Sequence, residues 1–175
     1  STFMKTSVKS ALVAAATISL LLASGTAAEA TQPREPRAAW GYYNKVVNKS
    51  KKSHHTGSQI LASCGSRTSS MNCGLTKGRA ATRTIGLEFG ATRKWAAGKL
   101  NFSASRTQSV SVTCSRQRVP KGRMLVAYPV GNRYKYKIEK HMTGAGKDYV
   151  TGRSGWLYAF NPGSARVTCD IIRYR

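Results

Sequence analysis

Apolar and polar residues alternate with a period of two from Lys77 to the end of the chain, and this pattern constrains the fold more than any other feature. Successive side chains of a β-strand point to opposite faces, so the alternation indicates strands with one apolar and one polar face. Turn-forming Pro, Gly and Asn residues separate the segments. The predicted strands lie at residues 85–89, 100–114, 124–128, 133–139, 156–160 and 166–174.

Helical periodicity is not convincing anywhere after the first thirty residues. The segment between Gly90 and Gly98 is predicted as a break in the strand pattern, with Trp95 covering the core. The fold prediction for residues 59–175 is therefore an all-β domain, built as a twisted antiparallel sheet or a sandwich.

The first thirty residues have the features of a secretory signal peptide. Lys5 and Lys9 precede an apolar run, Ala11–Ala23, and the small residues of Ala28-Glu29-Ala30 follow it. The apolar run is too short to cross a bilayer of about 30 Å at about 1.5 Å per residue. We therefore predict an exported protein with no stable membrane span once residues 1–30 are removed.

The four cysteines agree with export, because an even number in a secreted chain implies two disulfides. Of the three possible pairings we favour Cys64–Cys73 and Cys114–Cys169. The first pair flanks a short Gly/Ser-rich stretch, and the members of the second share the context Val-Thr-Cys. The chain has no C-x-x-C pair and only three His, so we predict neither a metal site nor a cofactor.

Residues 31–58 are predicted to form an extended N-terminal arm ahead of the β domain, because Pro33 and Pro36 oppose helix and lysines crowd its second half. One interpretation is a disordered leader. The other is a strap whose aromatic and basic side chains become ordered on a partner. The predicted partner-binding residues are Trp40, Tyr42, Tyr43, Lys45, Lys49, Lys51 and Lys52.

The chain of 175 residues contains 29 Lys and Arg against 6 Asp and Glu, a net charge of +23. Such an excess attracts polyanions. We expect a secreted partner protein or an anionic cell-envelope surface, with non-specific nucleic-acid binding as an alternative. Tyr134, Tyr136 and Tyr158 either stack on bases or pack within the sheet. The predicted basic surface contains Arg116, Arg118, Lys121, Arg123, Lys135 and Lys137.

Glu139 and His141 are the candidates for a catalytic role, because residues two apart on a strand share one face and Lys137 joins them there. A small basic secreted nuclease would use such a cluster. The interpretation we favour is a solvated strand face, since the chain contains neither a G-x-S-x-G nor an H-E-x-x-H motif. We therefore predict that the protein is not an enzyme.

A polar face of Ser and Thr runs from Asn101 to Thr113, and the turn Val119-Pro120-Lys121-Gly122 and a further alternating strand follow it. Residues 77–140 with this pattern resemble the sheet region of β-pore-forming proteins of the aerolysin and epsilon-toxin type. The resemblance implies strands that rearrange into a membrane barrel, and a membrane-active toxin is therefore an alternative function.

The chain after residue 30 is also similar to the small, basic, four-cysteine proteins exported by actinobacteria. Its aromatic and basic strap followed by a compact β domain resembles the adaptor subunit of umbrella toxin particles. This resemblance implies a secreted, non-catalytic binding or adaptor protein within an antibacterial toxin assembly. That is the function we expect, ahead of the pore-forming and nuclease alternatives.

Overall fold

A computed structural model describes residues 39–175, and the predicted signal peptide and residues 31–38 of the predicted arm lie outside this range. The predicted all-β class is confirmed for the described chain, which adds one short helix, α1 (Arg93–Leu100). The strands are β1 (Gly41–Thr56), β2 (Ala62–Ser66), β3 (Met71–Leu75), β4 (Gly78–Thr82), β5 (Thr84–Ile85), β6 (Thr107–Ser111), β7 (Cys114–Val119), β8 (Arg123–Gly144), β9 (Lys147–Arg153) and β10 (Leu157–Arg173).

Strand β8 is the centre of the main sheet, and every neighbour runs antiparallel to it. Strands β1 and β2 pair along one side of β8, and β10 and β9 pair along the other. Strand β5 adds to the outer edge of β10. The pairs β3–β7 and β4–β6 form two small separate sheets.

The first half of β8 contributes to one hydrophobic core, which the small sheets cover. Both predicted disulfides are confirmed: Cys64–Cys73 joins β2 to β3, and Cys114–Cys169 joins β7 to β10. Each disulfide therefore ties the main sheet to the sheet that covers it. The buried residues of this core include Leu61, Leu75, Ala81, Val110, Val112, Val119, Leu125 and Ala127.

The second half of β8 contributes to another core, in which Tyr134, Tyr136 and Ile138 are buried against Leu100 and partly buried Trp95. The predicted cover by Trp95 is therefore confirmed. The predicted break in the strand pattern at residues 90–98 is also confirmed, but α1 begins within it at Arg93, so the expectation of no helix after residue 30 is wrong. The buried apolar side of α1 is too short to give a recognisable helical period in the sequence. The side chain of Thr92 caps the N-terminus of α1, and Asn101 ends it in a left-handed conformation (φ 61°).

The single strand predicted at residues 100–114 is also wrong. The chain leaves α1 at Leu100, is irregular over residues 101–106, and then forms β6 and the start of β7. Arg93 explains the irregular segment, because its guanidinium donates hydrogen bonds to the carbonyls of Ala104 and Ser105. These carbonyls consequently need no partner strand. The predicted strand at residues 85–89 shrinks to β5, and Phe89 has a positive φ of 54°.

Elsewhere two predicted strands merge into one. The sequence predicts that a strand ends at Pro129 and Gly131-Asn132, but β8 continues through these residues. Likewise, β10 continues through the turn predicted at Asn161-Pro162-Gly163, where its register with β8 shifts. Gly131 allows this, because a Cβ at that position would overlap the backbone of Asn161 and Pro162.

The predicted arm is not separate from the sheet over Gly41–Thr56, because this segment is β1 and pairs with β8 from Val130 to Thr143. The predicted extended conformation is correct there, but the boundary at residue 58 does not divide an arm from a domain. The lysines of β1 obscure the strand pattern in the sequence, because they lie at exposed positions of an edge strand, where charges are common. Among residues 39–175 no helix is long and apolar enough to span a membrane.

Candidate binding face

One face of the second half of β8 is packed against α1, and the other bears charged and aromatic side chains. Residues paired across antiparallel strands share a face, so the register identifies its members on β1, β9 and β10. Trp156, just before β10, joins them through its contacts with Lys135 and Lys137. We call this surface the open face. Its members include Tyr43, Lys45, Lys52, Arg133, Lys135, Lys137, Glu139, His141, Asp148, Arg153, Trp156 and Tyr158.

Basic side chains of β8 lie over aromatic rings on the open face. The ammonium nitrogens of Lys135 and Lys137 are 4.2 Å and 4.7 Å from the ring centroid of Trp156. The guanidinium carbon of Arg133 is 4.3 Å from the ring centroid of Tyr158. Cation–π attraction holds these charges in place. The rings remain accessible, since Trp156 is 46% exposed and Tyr158 is 42% exposed.

A network of charged side chains occupies the end of the open face nearest the β8–β9 turn. His141 lies between two carboxylates, with Nε2 3.0 Å from Oε2 of Glu139 and Nδ1 3.0 Å from Oδ1 of Asp148. Arg153 donates from Nε to Oε1 of Glu139 at 2.7 Å. The hydroxyl of Tyr43 donates to Oδ2 of Asp148 at 2.6 Å. The network thus connects β1, β8 and β9.

The two carboxylates determine the protonation of His141. Neutral imidazole has one N–H, so donation to both carboxylates requires the imidazolium form. The hydrogen bond with Asp148, reinforced by that with Glu139, raises the pKa of His141 above its usual range. The hydrogen bond from Arg153, followed by that from His141, lowers the pKa of Glu139.

Tyr43 has a matching effect on the other carboxylate of the network. The hydrogen bond from its hydroxyl lowers the pKa of Asp148, and the bond to Asp148 raises the pKa of Tyr43. Both carboxylates are therefore ionised and paired near neutral pH. The lysines of the open face remain without a carboxylate partner, because the ion pairs of residues 39–175 involve only His141 and Arg153 as cations.

The contacts of His141 limit its use as a general base. A general base needs a ring nitrogen with a free lone pair, and both nitrogens of His141 face carboxylates. The prediction that Glu139 and His141 share a face is confirmed. The prediction that this face is solvated is wrong at both residues, whose side chains are 9% and 8% exposed, because Arg153 and Tyr43 pack around them.

Sequence reasoning missed Tyr43 and Asp148 as partners of His141, and Arg153 as the partner of Glu139. The available signal was the turn at Gly144–Gly146, which forms a hairpin with Ala145 and Gly146 at positive φ. A two-residue hairpin turn fixes the register of β9 against β8 and brings Asp148 beside this cluster. The position of Tyr43 depended on β1 being recognised as a strand.

The predicted partner-binding residues do not form one surface. Tyr43, Lys45 and Lys52 lie on the open face, whereas Tyr42 and Lys51 lie on the opposite face. Trp40 packs on Gly144, near Tyr149. Lys49 donates to the carbonyl of Lys99 at the end of α1.

The predicted basic surface divides in the same way. Lys135 and Lys137 belong to the open face, but Arg123 is twelve residues earlier on β8, about 40 Å along an extended strand. Arg116, Arg118 and Lys121 lie near Arg123, on β7 and the turn that follows. Of the tyrosines considered for base stacking, Tyr134 and Tyr136 are buried, and only Tyr158 is exposed.

Comparison with protein-family models, with curated proteins and with solved structures gives no match to this chain. Within residues 39–175 no three His, Cys, Asp or Glu side chains are grouped as a metal site. The open face is therefore the feature of the described chain that bears most directly on function.

Proposed function

We propose that this protein is a non-catalytic binding protein whose open face takes up an anionic polymer. The observation that supports this most directly is the row formed by Arg133, Lys135 and Lys137. These cations rest on exposed aromatic rings and have no carboxylate partner among the described residues. Unneutralised charges at fixed positions attract an anion without first breaking an internal ion pair.

The charge of the whole chain supports the same function at longer range. A net charge of +23 creates a positive field that steers polyanions toward the protein at low ionic strength. Because salt screens this field, the affinity should fall as the salt concentration rises. This net charge already includes the carboxylates Glu139 and Asp148, which are paired within the network.

The proposed setting is extracellular. Two disulfides are typical of proteins that fold in an oxidising compartment, and the signal-like leader agrees with export. Anionic cell-envelope polymers or an acidic secreted partner would be met there. A role as an adaptor in an antibacterial toxin assembly stays a prediction.

The geometry gives the two alternatives less support. A nuclease would need His141 as an acid or base, but two carboxylates hold its ring nitrogens. A pore-forming rearrangement was inferred from a long Ser/Thr strand, and this segment is divided among a loop, β6 and the residues that follow it.

Titration with long-chain inorganic polyphosphate tests the proposed function. The double variant Lys135→Gln/Lys137→Gln should bind more weakly and show a shallower dependence of log K on log salt than the unmodified protein. The matched control is Lys94→Gln/Lys121→Gln, which removes the same charge at exposed positions away from the open face. Equal weakening in both variants, or no binding at low salt, would contradict the proposal.

A further inference from the structure

We propose that the polymer bound on the open face is a single-stranded nucleic acid, with its phosphates on the basic row of β8 and its bases stacked on Trp156 and Tyr158. This inference rests on the proposed function and specifies the chemistry of the ligand. Three features of the open face support it: the spacing of the charges, the position of the rings, and the balance of hydrogen-bond donors and acceptors.

The charges repeat along a straight line. Arg133, Lys135 and Lys137 occupy alternate positions of β8, so their Cα atoms follow one another at about 6.6–6.8 Å. An extended phosphodiester strand is also a linear array of regularly repeated negative charges. A row of this kind tracks a backbone, whereas a compact anion would engage only one or two of its members.

The rings form a second row beside the charges. Tyr158 on β10 pairs with Lys135 on β8, and the two strands lie about 4.8 Å apart. Trp156 lies two residues before Tyr158, on the same side of the sheet. A single nucleic-acid strand likewise has bases in a row beside its phosphates. In a duplex the bases are already stacked on each other, so exposed rings on a sheet favour a single strand.

The hydrogen-bonding groups distinguish a nucleic acid from an acidic polysaccharide. Lys and Arg side chains only donate, which suits phosphodiester oxygens, because these only accept. The hydroxyls of a sugar polymer also need acceptors. The carboxylates of the open face, on Glu139 and Asp148, already accept from Arg153, His141 and Tyr43.

Fluorescence anisotropy with the oxidised full chain tests the inference. The probes are labelled oligothymidylate of about ten nucleotides and an abasic deoxyribose-phosphate oligomer of equal length and charge. Oligothymidylate should bind more tightly. Trp156→Leu should weaken its binding by roughly five- to a hundredfold, the effect of losing one stacked base. It should weaken binding of the abasic oligomer much less, because that oligomer loses only the cation–π contacts that hold Lys135 and Lys137 in place. Trp156→Phe should restore part of the loss.

Tyr42→Leu is the matched control, because Tyr42 is an exposed ring beneath Lys140 on the opposite face of the same sheet. Its affinity for oligothymidylate should equal that of the unmodified protein. Oligothymidylate should also quench indole emission in the unmodified protein, and this quenching should diminish in Trp156→Leu.

The outcomes separate this inference from the proposed function. Equal affinity for the two oligomers, with no effect of Trp156→Leu, would overturn base stacking and leave polyanion binding intact. Tighter binding of a DNA duplex or of heparin at matched charge would overturn the choice of a single strand in the same way. Failure of polyphosphate and oligonucleotide alike to bind at low salt would overturn both proposals.

Discussion

The side chain of His141 makes contacts that connect neighbouring strands. Its neighbours on three strands include an arginine, a tyrosine and two carboxylates, all of which enzymes use. The two carboxylates accept from both ring nitrogens and raise the pKa of His141, which favours the imidazolium form. The ring then connects β9 to β8 through Asp148.

The first prediction concerns the pH dependence of stability. The pKa of His141 is raised above its ordinary 6.5 by the carboxylates, so its contribution is complete below pH 6.5 and disappears as the pH rises through the folded value. The pKa values of Glu139 and Asp148 are lowered below their ordinary 4.5 and 3.8, so their contributions disappear as the pH falls through the folded values. The network should therefore stabilise most between about pH 4.5 and 6.5.

Urea unfolding at a series of pH values measures this effect. For the unmodified protein the free energy of unfolding should decline above pH 6.5, and the difference from His141→Gln should shrink there. His54→Gln is the control, because His54 is exposed and contacts Arg166 rather than a carboxylate. Parallel curves for the unmodified protein and His141→Gln would contradict the prediction.

At the scale of elements, the disulfides and β8 organise the chain. Strand β8 contributes to both cores and is paired along both sides, while Cys64–Cys73 and Cys114–Cys169 fasten the same small sheet, β3–β7, to the main one. Because both disulfides join the same two sheets, they differ mainly in the length of the loop that each one closes. The separations are 9 residues for the first disulfide and 55 for the second.

The second prediction compares removal of each disulfide. Constraint of the unfolded chain grows with loop length, so Cys114→Ala/Cys169→Ala should lose about 4 kcal/mol of unfolding free energy and Cys64→Ala/Cys73→Ala about 2–3 kcal/mol. The urea midpoint of each double variant measures the loss, and each variant is the control for the other. An equal or reversed order would show that native packing at the two linkages outweighs loop closure.

For the whole molecule, charge opposes folding and promotes binding. With a net charge of +23, the positive charges repel one another most strongly in the compact folded state, and salt screens this repulsion. The same screening weakens attraction to a polyanion. Stability and affinity are therefore expected to respond to salt in opposite directions.

The third prediction tests this opposition. Between about 0.01 and 0.15 M NaCl, where the Debye length falls from about 30 Å to about 8 Å, the thermal midpoint should rise while the affinity for polyphosphate falls. Differential scanning calorimetry and titration on one preparation measure the two quantities. Lys135→Gln/Lys137→Gln should keep the rise of the midpoint and show a smaller fall of affinity. A midpoint that decreases with salt would show that attractive ion pairs outweigh the general repulsion.

Local patterns in the sequence were enough to predict the β class, the side-by-side placement of Glu139 and His141, and both disulfides. A period of two places side chains on alternate faces wherever the strand lies in the sheet, so these features need no knowledge of distant partners. The cysteine contexts, likewise, are short stretches of sequence.

Contacts between segments distant in the chain decided the extent of the strands and the composition of the open face. Gly131 allows the backbone of Asn161 to approach closely, so β8 and β10 continue past this point. Arg93 binds the carbonyl of Ala104, so residues 101–106 do not form a strand. Pairing with β8 places Gly41–Thr56 in the sheet. The open face combines side chains from β1, β8, β9 and the start of β10, and its most distant members, Tyr43 and Tyr158, lie 115 residues apart in the chain (158 − 43). Its composition depends on the register of these strands, and register is set by contacts that no short stretch of sequence contains.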